Sequence, residues 1–332
     1  ESGSELLLYE TMRGRAVKYL LANQYRFEVG EHAQRLRGLL SELDTRSRER
    51  RLTEHRARAE RSATRRGVAD WSILREIALD RSMALIGPLR TDKYLHGLYT
   101  ERPAVNEAIQ SFVASDRRGL SIVGDSGRGK TNILCRWIDN AESSEDIVLF
   151  LYGSEQEGEV SKAIPRLLYQ SEPLEELLAS LAPEARKRDA NLVILVDGVN
   201  EAPDPSGLCR QLIQLAQSFD HPWFKVVFTC RTVFWDNVLA EVAFSPDVFW
   251  FSRQGGDVRT KDGVLSPHVK LRRFSTTEVE RAFDRYREIS SLQSDSDALS
   301  EATRSMLSDP LMMRLRPTAY QGRAVRVAAV DI

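Results

Sequence analysis

Cysteine is scarce in this sequence. Its three copies, Cys135, Cys209 and Cys230, are too few and too scattered for a disulfide framework or a zinc site, and they read as small apolar residues of helices and a strand. No run approaches the roughly 20 apolar residues of a membrane-spanning helix, and no signal-peptide pattern is visible. Charge of neither sign prevails. Lys and Arg total 47, Asp and Glu 48, and the net charge of −1 gives no global argument for nucleic acid or a membrane surface. These absences point to a reducing cytoplasm and to no membrane partner. The chain opens at Glu1 without an initiator Met, and it is expected to be a piece of something longer. What is there, 332 residues of which 42% are hydrophobic and 29% charged, suffices to bury a core in two or three domains.

Most of the chemistry sits in one stretch. Gly124-Asp125-Ser126-Gly127-Arg128-Gly129-Lys130-Thr131 fits G-x-x-x-x-G-K-[ST] and lies between an apolar strand, Leu120 to Val123, and an amphipathic helix. On that helix Ile133, Leu134, Trp137 and Ile138 share one face. The glycines let backbone N–H groups surround phosphate, and the helix N-terminus adds partial positive charge. The cradle is expected to run from Gly124 to Asn132. Lys130 would reach the β- and γ-phosphates of a triphosphate, and Thr131 would offer its hydroxyl to Mg²⁺.

Two further strands end in polar residues. Leu192 to Val196 runs into Asp197-Gly198-Val199-Asn200-Glu201. Asp197 is the expected Mg²⁺ ligand beside Thr131, and Glu201 is the candidate to orient or deprotonate an attacking water. Asn200 is neutral, so it can position water but cannot act as a base. Lys225 to Thr232 emerges at the same rim and carries Arg231, a fixed cation suited to a γ-phosphate and to transition-state charge, with Thr229 able to bond phosphate or water. The expected catalytic set is therefore Lys130, Glu201 and Arg231. A surface carboxylate and a strand-capping arginine are the plain alternatives for Glu201 and Arg231.

The predicted fold class is α/β: a P-loop NTPase parallel sheet with helices on both faces, preceded by a helical region and followed by a small helical domain. Residues 1–91 form the N-terminal region, with leucine stripes between Leu6 and Leu43 and an Arg-rich linker at about 45–67. That linker reads as a charged spacer; nucleic-acid binding is the less favoured use, because no aromatic residue is interleaved to stack on bases. Residues 92–270 alternate strand and helix. Strands are expected at Leu120–Val123, Ile147–Tyr152, Leu192–Val196, Lys225–Thr229 and Val248–Phe251, with a short edge strand at Val269–Leu271 and a mobile polar loop at Arg253–Asp257. Residues 271–332 open with the capping box Ser275-Thr276-Thr277-Glu278 and include a helix near Ala298–Leu307, just ahead of Asp309-Pro310-Leu311.

From about Tyr94 to Val325 this combination resembles the STAND class of P-loop NTPases, close to its NACHT-like members. The residues that carry the resemblance are Gly124 to Thr131, Asp197 to Glu201, Thr229-Cys230-Arg231, Asp309-Pro310-Leu311 and the upstream Leu98-Tyr99-Thr100-Glu101-Arg102. The resemblance implies ATP and ADP with Mg²⁺ as ligands, slow ATP hydrolysis, Arg102 near the adenine and ribose, and Pro310 touching the base. It also implies a signalling switch in which ADP holds a closed monomer and ATP drives self-oligomerisation, with effector or sensor modules outside this chain. Bacterial members often act in antiviral defence or programmed cell death. The family usually has an acid where Asn200 stands, which leaves Glu201 alone, and its winged-helix and repeat segments have no counterpart in this sequence. Adenine is preferred because no Asn-Lys-x-Asp guanine signature occurs. Two alternatives are an AAA+ motor or loader, which would want Glu where Gly198 stands, and a hydrolysis-dead nucleotide-binding scaffold whose Arg-rich arm docks a partner.

Overall fold

The computed structural model describes residues 47, 50–54, 56–57, 69–92, 94, 96–253, 265–290 and 299–313. The leucine stripes before Leu43, most of the Arg-rich linker, the loop at Gly255-Gly256 and the chain beyond Met313 lie outside the described residues. Residues 1–54 and 55–332 form two separate units, and the second contains everything that follows.

Strands β1 (Gly119–Gly124), β2 (Ile147–Tyr152), β3 (Leu192–Asp197) and β4 (Phe224–Cys230) are almost continuously apolar and buried. Beyond them come β5 (Ser252–Arg253) and β6 (Leu265–Ser266), which form a small antiparallel pair, and then β7 (Val269–Leu271). The main sheet is parallel throughout, in the order β2-β3-β4-β1-β7. Alternate side chains feed two cores: Ile147, Leu149, Ile194 and Val196 enter one, and Val148, Phe150, Val193 and Leu195 the other. That division follows from the two-residue period of a strand covered on both faces.

Helices cover both faces. Trp71–Ile86 is α1, Pro103–Val113 α2, Lys130–Ala141 α3, Val160–Leu167 α4, Leu174–Arg188 α5, Pro205–Ser218 α6 and Thr232–Glu241 α7. Buried side chains of α2 and α3 line one core, and those of α4, α5, α6 and α7 line the other. Helix α1 lies along β2, one of the two edge strands of the sheet. Its Ser82 hydroxyl donates to Val148 O at 3.0 Å and accepts from Phe150 N at 2.9 Å, so a helix side chain satisfies groups that an unpaired edge would expose. Trp71, Leu74, Ile77 and Ala78 belong to the same core as the strands. A domain edge at residue 92 would cut this helix from the sheet it covers; by its packing the compact unit already includes Ala69.

The expected strand at Val248–Phe251 is corrected. Phe249 makes a single parallel bridge to Gly119, and the ladder beside the far end of β1 belongs to β7. A Cβ at Gly119 would collide with the Phe249 ring, and the run pairs with the start of β1 only through Gly119 N to Val248 O at 3.0 Å and Trp250 N to Gly119 O at 2.9 Å, a bridge that does not continue as a strand. Helices α8 (Thr276–Ser290) and α9 (Glu301–Leu307) follow β7 and share a small core of Val279, Ala282, Phe283, Tyr286, Leu299, Leu307 and Met313. Helix α8 opens on a reciprocal capping box: Ser275 N donates to Glu278 Oε2 at 2.8 Å and Glu278 N to Ser275 Oγ at 3.3 Å. No described helix is long and apolar enough to cross a membrane. The three cysteines are free and buried, and burial raises each thiol pKa.

Candidate functional site

Parallel strands deliver their C-terminal ends to one rim, where ligands of such sheets bind. Here β1, β3 and β4 bring three polar turns to that rim. Gly127 (φ +77°) and Gly129 (φ +90°) adopt the left-handed backbone that curls the loop, and Gly129 caps the start of α3. Lys130 folds back over this loop, its amine donating to Gly124 O at 2.6 Å and Asp125 O at 2.9 Å. Burial lowers its pKa, opposed by the charge of Asp197.

Because β4 lies between β1 and β3, the loop and the acid-ended strand stand two strand spacings apart, roughly 9–10 Å. The first turn of α3 spans that gap. Thr131 Oγ1 donates to Asp197 Oδ2 at 2.7 Å, and Thr229 Oγ1 donates to Asp197 Oδ1 at 2.6 Å. Thr229 also accepts from Gly198 N at 2.8 Å. Burial pushes the Asp197 carboxyl above the usual carboxylate range, against the lowering effect of the two hydroxyls. One carboxylate and one hydroxyl are hard oxygen donors of the kind Mg²⁺ takes when substrate phosphates and water complete its shell, so Thr131 and Asp197 fit that ion. Among the described residues no cluster of three His, Cys, Asp or Glu side chains offers an all-protein metal cage.

Beyond Asp197, Gly198 turns left-handed (φ +71°), and Asn200 and Glu201 follow on a short helical turn. Glu201 pairs with Arg231 at 3.5 Å; both side chains are more than half exposed, at 57% and 54%. Asn200 Oδ1 accepts from Arg231 N at 2.9 Å.

A cavity of about 610 Å³ joins these groups. Ser126, Gly127, Arg128, Gly129, Lys130, Thr131, Asn132, Asp197, Glu201 and Arg231 line it, as do Arg102 and Pro310. Gly124 and Asp125 stand behind the loop; the Asp125 carboxylate accepts from Thr232 Oγ1 at 2.8 Å. The other end of the cavity is apolar, walled by Leu98, Tyr99, Phe274, Tyr286, Pro310 and Met313. Its size suits a small organic ligand with one charged and one flat end.

Arg102 does something the motif reading did not anticipate. Its guanidinium donates to Arg128 O at 3.2 Å and to Arg272 O and Arg273 O at 2.6 and 3.2 Å, lies over the Phe274 ring and faces Glu278 at 3.7 Å. Burial lowers its pKa, opposed by Glu278. It thus ties the phosphate loop to the segment leading into α8. Arg128, a variable position of the motif, reaches Asp309 at 2.7 Å, and Leu311 rests on Gly127. Sequence reasoning assigned Thr229 to phosphate or water, whereas its hydroxyl is spent on Asp197 and Gly198. Their adjacency on neighbouring strand ends was readable only once the strand order was known.

No protein-family model matches the chain, and no curated protein matches its sequence. Among solved structures it is similar to Cdc6p from Pyrobaculum aerophilum, at 13% identity and a TM-score of 0.33 over 56% of this chain and 50% of that one. It is similar also to the RuvB Holliday junction branch migration motor of Thermotoga maritima, at 10% identity and 0.33 over 65% and 60%. Domain III of the Thermotoga maritima replication initiation protein DnaA gives 18% identity and 0.32 over 67% and 84%. The chain spans about half to three fifths of the length of the first two. Its own strand order, with a glycine loop leaving β1 and an acid ending β3 on the far side of β4, is that of an α/β P-loop NTPase fold.

Proposed function

We propose that this chain is the nucleotide-binding core of a STAND-type, NACHT-like switch that binds ATP and ADP with Mg²⁺ and hydrolyses ATP slowly. The observation that carries the reading is the hydrogen bond from Thr131 to Asp197, 2.7 Å, on the floor of a cavity shared with Lys130, Glu201 and Arg231. In the proposal Lys130 and the loop amides hold the phosphates, and Thr131 and Asp197 hold Mg²⁺, which when bound neutralises phosphate charge. Glu201 orients or deprotonates water, Arg231 meets the γ-phosphate, and the apolar end takes adenine against Pro310.

A switch needs two states that differ in nucleotide affinity, and a swing from 1:99 to 99:1 requires roughly 5.5 kcal/mol of differential binding. The polar ties from α8 and Asp309 to the phosphate loop give a cover that can release without disturbing the sheet. ATP-dependent self-association, effector or sensor modules elsewhere and a reducing cytoplasm complete the reading, and an output in bacterial defence or programmed cell death rests on the family resemblance.

The test is to denature the purified chain and identify the nucleotide released, with Lys130→Ala as control. Stoichiometric ADP from the wild type and none from the variant is the expected result. An empty site that turns over added ATP rapidly would favour a freely exchanging motor, and absence of any nucleotide binding would sink the assignment.

A further inference from the structure

Arg231 is the first residue past the end of β4, and its backbone N–H lies beyond the last ladder pair with β3, Val196 opposite Phe228. A strand end has no built-in means of fixing where such a residue points. Two ties fix it here. On one side Asn200 Oδ1 takes the Arg231 N–H at 2.9 Å; on the other the next residue, Thr232, is bonded to Asp125 of the phosphate loop at 2.8 Å. The tie to Asn200 has a mirror image one step down the strands, where Thr229 on β4 accepts the N–H of Gly198 beyond β3. Each strand end thus supplies a side-chain oxygen to the backbone of the other, and the two turns are locked in register. The Arg231 side chain itself is half exposed and lies 3.5 Å from Glu201.

We propose that Asn200 is the positioning residue of Arg231: it acts as a hydrogen-bond acceptor that holds the cation facing the γ-phosphate and does not itself handle water. This rests on the nucleotide reading given above. An acceptor is what the geometry requires, since an N–H donor can be met only by the amide oxygen. Aspartate would therefore serve and leucine, of similar size, would not. An Asn200 that bonded a water or phosphate through its NH₂ would lose that bond in both variants alike, because neither aspartate nor leucine has such a donor.

The experiment measures ATP and ADP dissociation constants with Mg²⁺, and single-turnover hydrolysis, on the full 332-residue chain as wild type, Asn200→Leu, Asn200→Asp and Arg231→Ala, and as Asn200→Leu in the Arg231→Ala background. Thermal unfolding of each checks folding. The expected result is that Asn200→Leu lowers the preference for ATP over ADP about tenfold, the scale of one net hydrogen bond, and leaves ADP affinity within about twofold. Asn200→Asp keeps the preference, and Asn200→Leu adds nothing once Arg231 is gone. The proposal is overturned if Asn200→Asp falls with Asn200→Leu, if Asn200→Leu matches the wild type, or if its loss persists in full without Arg231. In all three of these cases the wild type still binds ATP. A wild type that binds neither nucleotide, like Lys130→Ala, would instead remove the site reading, and this inference with it.

Discussion

The two walls of the cavity are built differently. The sheet side is held by packing: Ile122, Val123, Ile194, Val196 and Phe228 are fully buried, and the strands they belong to carry Asp197 and Thr229 to the rim. The helical side, the described residues from 272 to 313, has a small core of its own and reaches the phosphate loop through charge and one apolar contact, Leu311 on Gly127. Arg128 meets Asp309, Arg102 meets Glu278 and two carbonyls, and Arg285 donates to Tyr99 O. A packed wall resists opening until the core is broken. Polar ties can be exchanged for water, so salt or one lost charge should loosen the helical side alone.

The largest expected effect lies on the packed side. Trp71 is buried against Trp223, and its Nε1 donates to Glu145 O at 2.8 Å. Trp71→Ala should cost about 3–5 kcal/mol in urea unfolding. A loss below about 1 kcal/mol would mean that α1 is not part of the sheet's core. Lys130→Ala comes next: nucleotide affinity by calorimetry should fall roughly 100-fold or more with the fold intact, because it removes the loop cation assigned to the phosphates, the other, Arg128, being paired with Asp309. Glu201→Gln should retain binding while single-turnover hydrolysis slows about 10²-fold, and an unaltered rate would place the base elsewhere.

The smallest effect tests the charged side. Asp309→Asn should speed release of a fluorescent ADP in stopped flow by about tenfold, since it leaves the mostly buried Arg128 with only the more exposed Asp125, 3.7 Å away. The exchange Arg128→Asp with Asp309→Arg should slow release again. Raising salt should accelerate release from the wild type more than from Asp309→Asn; equal responses would show that the pair does not hold the cover.

What the sequence revealed followed from spacing along the chain. The loop, the acid after Val196 and the capping box at Ser275 are local patterns, and each lies where expected. Ties between distant residues were not legible. Arg128 and Asp309 are 181 positions apart in a chain with many charges, and neither residue type signals its partner. Helix α1 was left out of the domain because its buried residues face two cores, Trp71 to Ala78 one and Met83 and Ile86 the other, so no single apolar stripe marks it. Val248 to Phe251 was assigned to a strand because an apolar run reads alike whether it pairs along its length or, as here, at a single bridge.

Gly127 faces two constraints at once. Its φ of +77° suits glycine, and a Cβ there would stand 3.0 Å from the Cβ of Leu311. A genetic screen would meet these as separate lesions. Gly127→Ala strains the loop and crowds the cover, and a second-site change of Leu311 to glycine, which removes the crowding Cβ, relieves only the crowding. Suppressors at 311 should therefore recover the fit of the cover but not full phosphate binding.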